Sequence, residues 1–84
     1  MNTYKATDST GTEYTFNAKR DWTGGWAVIV ENDFTDAFGA EYAAQNNGTG
    51  ILSRHAKREA AVKAAAKAAG GVAVSTEVVQ IEKA

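Results

Sequence analysis

His55 is the one imidazole of this chain, and Ser53 precedes it by two residues, so a base and a hydroxyl nucleophile share a three-residue span. Read as the approach to a helix, positions i and i+2 point apart. Arg54 and Lys57 flank the ring, and no acid stands where a triad needs one to orient it. The sequence therefore predicts no catalytic residue. With no cysteine and a single histidine, neither a thiolate centre nor a histidine-rich metal site can be built. Glu31, Asp33, Asp36 and Glu41 form an acidic run without an intervening base, but the ligand spacing and central glycine of a calcium loop are missing. No metal and no cofactor are expected. Gly24-Gly25 is not followed by a helix, which removes the phosphate-loop reading.

What remains is recognition. The four carboxylates alternate with Phe34, Phe38 and Tyr42, which combines negative charge with aromatic anchors and would suit a basic groove on a partner protein. Trp22, in a turn before the best strand, is a further candidate anchor. The competing surface is cationic: Arg54, Lys57, Arg58, Lys63 and Lys67 are offset by Glu59 alone, a charge that could meet nucleic-acid phosphates. A solvated acidic edge and a solvated lysine face are the plainer readings of the same residues.

The segment GGWAVIVEN followed by AKREAAVKAAAKAA, within residues 24–69, resembles the arm-type DNA-binding domains of tyrosine recombinases and small bacterial β-β-α-β domains. In the recombinase domains the sheet reads bases; here Glu31 and Asp33 stand at the strand end where those domains are basic. In size, lack of cysteine and proline, uneven charge and absence of catalytic groups, the chain also resembles the compact inhibitors of phages and mobile elements, of the anti-CRISPR kind. That resemblance, one of overall character, implies a non-catalytic protein-binding module that occupies a basic or nucleic-acid-binding surface of its partner in the host cytoplasm. The alternative is a small nucleic-acid-binding domain using residues 54–67.

These side chains must be positioned by a small set of elements. Tyr4 and Ala6, then Tyr14, Phe16 and Ala18, fall on alternate positions with polar residues between them, the period of strands with one wet face. Strands are expected at 2–8 and 12–20, joined by a turn at Asp8 to Gly11. After a second turn at Asp21 to Gly25, Trp26, Val28 and Val30 share one face and Ala27 and Ile29 the other, which predicts a central strand buried on both sides. The spacing of Phe34, Ala37, Phe38, Glu41 and Tyr42 suits a short helix capped by Thr35, while Gly39 within it leaves a loop over 33–50 as the alternative. A strand follows at 49–54.

Residues 56–71 read as one helix with Ala61, Val62, Ala65, Ala68 and Ala69 on its inward side and Glu59, Lys63 and Lys67 outward, ended by Gly70-Gly71. The last strand is expected at 76–83, with a bulge or turn near Ser75 because Val74 lies on the opposite phase to Val79 and Ile81.

The predicted fold is α+β. A small antiparallel sheet of about five strands, in the order β-β-β-(α)-β-α-β, carries the alanine-rich helix on one face.

Eighty-four residues make a single domain, 1–84. The formal charge of −1 is unevenly spread, with seven acidic and three basic side chains through residue 52 and three acidic and six basic after it. No apolar run approaches the roughly 18 residues of a membrane span, and MNTYKATD lacks the basic start and apolar centre of a signal peptide. A soluble cytoplasmic protein is expected. The lightly charged last strand leaves open pairing with a second copy.

Overall fold

The computed structural model describes residues 1–35, 39–46, 48–71 and 73–84. Among the described residues, six strands and two helices follow in the order β1 (Asn2–Thr7), β2 (Glu13–Ala18), β3 (Trp26–Asn32), α1 (Ala40–Asn46), β4 (Gly48–His55), α2 (Arg58–Ala69), β5 (Ala73–Gln80) and β6 (Glu82–Lys83). The α+β class is as expected, but the single sheet is not. The strands form two antiparallel three-stranded sheets, β2-β1-β6 in front and β4-β3-β5 behind.

The division falls at Ile81. Its backbone N–H donates to the Gly25 carbonyl at 2.8 Å and its carbonyl accepts from Gly24 N–H at 3.4 Å, which takes this residue out of either ladder. Before it, β5 pairs with β3; after it, Glu82 and Lys83 pair with β1. The expected last strand thus crosses from one sheet to the other, with its side chain at the crossing 1% exposed. The turn that meets it is equally constrained. A Cβ at Gly25 would lie 3.0 Å from the Trp22 carbonyl and 3.1 Å from that of His55, so only glycine lets the two backbones approach this closely.

β3 is buried on both faces, as its composition predicts. Ala27 and Ile29 join Tyr4, Ala6 and Ile81 in a core between the sheets. Val28 and Val30 pack against Ala61 and Ala65 of α2 on the other side. Three layers result, front sheet, back sheet and helix, where two were expected.

α2 is shorter than its sequence pattern. It starts at Arg58 after Lys57, which makes no side-chain cap bond, while Ser53 stays in β4. At its end Gly70 is right-handed, and the N–H groups of Gly70 and Gly71 close back on the carbonyls of Lys67 and Ala68 at 3.2 and 3.0 Å. The inward stripe consists of Ala61 and Ala65 flanked by Ala64 and Ala68; Val62 and Ala69, expected inside, are exposed.

The bulge expected near Ser75 is found one residue earlier, where Val74 has no partner between Ser75 opposite Glu31 and Ala73 opposite Asn32. α1 begins after Gly39, whose φ of +89° separates it from Thr35. The Asp33 carboxylate accepts Thr35 N–H at 2.9 Å. Ala37 and Phe38 of the predicted helix lie outside the described residues.

Candidate binding groove

β2 and β4 each pair on one side only, so each ends its sheet. Between them runs a groove of about 850 Å3 whose walls include Phe16, Trp22, Ile51, Leu52 and Arg54. Two local features create it. In β2 strict alternation turns Tyr14, Phe16 and Ala18 toward the core and leaves Glu13, Thr15 and Asn17 in solvent. In β4 a bulge falls at Leu52, because Val28 lies opposite Ser53 while Ile29 lies opposite Ile51.

That bulge decides the chemistry of the groove. In a regular strand residues 51 and 54 would face opposite ways; one extra residue brings Ile51 and Arg54 to the same face, toward the front sheet. The Arg54 guanidinium then lies 4.6 Å from the Phe16 ring centroid and 5.4 Å from that of Trp22. Arg20 covers Trp22 at 4.3 Å. Arg54, in the groove wall, and Arg20, outside it, thus lie over these rings, an attraction worth about 0.5–1 kcal/mol per exposed pair.

Neither arginine has a carboxylate partner within 4.0 Å, the only ion pair among the described residues being Lys5 with Glu13 at 3.0 Å. Glu13, which also lines the groove, is therefore already answered, and the same contact holds the Lys5 ammonium above its ordinary pKa. Asp21, next to Arg20, turns its carboxylate to the Thr23 N–H at 2.9 Å and the Tyr4 hydroxyl at 3.4 Å. The Thr23 amide and hydroxyl, in that order, hold it below the usual carboxylate range.

The hairpin end of β2 is fixed by Asp8. One carboxylate oxygen accepts the Thr10 hydroxyl at 2.6 Å and the amides of Thr10 and Thr12 at 2.9 and 3.0 Å, and the other accepts the Tyr14 hydroxyl at 3.3 Å. The Thr10 hydroxyl is the main cause that lowers the Asp8 pKa. A folded value below the unfolded one, about 3.9, means that this contribution is complete above that pH and is lost as the pH falls through the folded value. Asp8→Ala should accordingly make acid unfolding, followed by circular dichroism from pH 5 to 2, less steep than in the parent; an unchanged slope would refute this role.

The sequence-derived sites are distributed as follows. Of the acidic and aromatic set, Glu31 lies near the end of the β3 ladder opposite Thr49 and Ser75, Phe34 and Tyr42 meet edge to face at 5.3 Å past its end, and Glu31, Asp33 and Glu41 are exposed. Asp36 and Phe38 lie outside the described residues. Trp22 is not with them: it precedes β3, and the strand separates the two places by roughly 20 Å at about 3.3 Å per residue.

The cationic set is divided too. Arg54 faces the front sheet, Arg58 lies 5.8 Å over the Trp26 ring on the helix side, and Lys63 and Lys67 are on the exposed side of α2. Lys57 precedes α2 as its exposed first cap residue.

Ser53 and His55 are closer than a helical reading allows. Both lie on β4, where i and i+2 share a face, and Ser53 Oγ is 2.8 Å from His55 Nε2. Among the described residues no acid hydrogen-bonds the ring. Among the described residues no group of three or more histidine, cysteine or acidic side chains could hold a metal, and no helix is long and apolar enough to cross a membrane.

The pairing of Arg54 and Arg20 with Phe16 and Trp22 was not legible in the chain, because nothing in the run Ile51-Leu52-Ser53 announces a bulge. Leu52, 53% exposed, is the trace it leaves. The chain matches no protein-family model, no curated protein and no solved structure.

Proposed function

We propose that this protein is a non-catalytic protein-binding module that takes up an extended polypeptide segment in the groove between β2 and β4. The supporting observation is the groove itself, about 850 Å3 with aromatic and aliphatic walls, flanked by a strand edge that nothing in the fold pairs. Such an edge offers backbone donors and acceptors to an added strand, while pockets beside it sort alternate side chains. β2 is the better docking edge: its six pairs with β1 run without a shift, whereas the bulge at Leu52 blunts β4. A module of this kind acts by occupancy, the mode of a small inhibitor.

The acidic end around Phe34 and Tyr42 is the competing surface, suited to a basic partner, and the lysines of α2 would serve a nucleic acid. Selection of displayed random peptides on the full chain separates the three. Enriched peptides should shift the backbone amide resonances of β2 and β4, and Leu52→Asp, at an exposed position, should weaken them at least tenfold. Shifts confined to residues 31–42, or failure to enrich any peptide, would overturn the reading.

A further inference from the structure

From Arg54 in the groove wall, and Arg20 beside the groove on Trp22, we infer that the groove's occupant is acidic: an extended segment carrying carboxylates on alternate residues, which the two arginines bind. This rests on the groove being a peptide site. Both arginines are exposed and neither has a carboxylate partner within 4.0 Å. Each lies over an aromatic face, and a guanidinium carries its N–H donors in a planar fork that suits a carboxylate. The one carboxylate of the groove wall, Glu13, is held by Lys5 at 3.0 Å, so it does not oppose an incoming anion.

Stacking also fixes the two heads on Phe16 and Trp22, which reduces the entropy lost when they close on a ligand. An added strand presents every second side chain to the same face. Alternate acidic residues would therefore meet the two cations while the residues between them turn to solvent. A nucleic-acid strand is less suited, because the ring faces on which its bases would stack are already covered by the arginines.

The test uses fluorescein-labelled probes and anisotropy with the full chain. The probes are a six-residue peptide alternating valine and glutamate, its lysine counterpart, and a thymidine octanucleotide, each in about 50 and 200 mM salt. The glutamate peptide should bind at least tenfold more tightly than the lysine peptide and weaken in the higher salt. Arg54→Glu should lower its affinity at least tenfold and improve that of the lysine peptide; Arg20→Glu and Arg54→Gln should act in the same direction with smaller effect. Both positions of change are exposed, and a retained circular dichroism spectrum confirms folding.

Equal binding of both peptides, or indifference to Arg54→Glu, would overturn the acidic specificity and leave the peptide groove standing. Tighter binding of the octanucleotide than of the glutamate peptide, abolished by Arg54→Glu, would overturn it in favour of nucleic acid. Failure of every probe to bind would overturn both the specificity and the groove.

Discussion

Tyr4→Ala is expected to lower the unfolding free energy by about 3–5 kcal/mol, the range for deleting a large buried aromatic. Tyr4 is 1% exposed, the largest fully buried side chain among the described residues, and its ring stacks on Phe16 at 5.6 Å between the two sheets. A chain of 84 residues has roughly 4–13 kcal/mol of stability in all, so this one truncation removes a large share of it. The hydroxyl matters little. Its bond to Asp21 is long, 3.4 Å, and Asp21 is exposed, so Tyr4→Phe should cost under about 1 kcal/mol. Urea titration of both variants checks the pair. A loss below about 1 kcal/mol for the alanine variant would mean that the sheets do not close over this ring.

Ala61→Leu should cost about 1–3 kcal/mol by overpacking, toward the upper end because Ala61 is 0% exposed against Val28 and Val30. Ala65, at 8% exposed, should suffer less from the same change. Val62→Leu and Ala69→Leu are the controls, both positions being exposed, and should lie within about 0.5 kcal/mol of the parent. The ordering 61, 65, then 62 and 69 distinguishes the observed helix face from the one drawn on a helical wheel, which placed all four together. Equal losses at all four would mean that α2 is rotated from its position here.

The reasons for such differences are local. A wheel gathers residues within an arc and cannot centre it, because only the sheet beneath decides which alanines descend. Val28 and Val30 stand opposite Ala61 and Ala65, and Val62, a hundred degrees round the helix, is left outside. Likewise the acidic and aromatic residues near 31–42 were visible as a composition. That Trp22 meets Arg20 and Arg54, at the other end of β3, required the tertiary structure.

The sequence by itself determined the period-two strands, the doubly buried β3, the alanine face of α2 and a break in the last strand, because each depends on residues within a few positions of one another. Only the tertiary structure decided that the last strand changes sheets at Ile81, that Ser53 and His55 share a face, and that Arg54 joins Phe16 and Trp22 instead of the lysines of α2. The Ser53–His55 contact follows from β4 running on through His55, and the other two turn on register. An unpaired residue at position 52, or a ladder interrupted at 81, reverses the side to which every later residue points, and register is fixed by the partner strand.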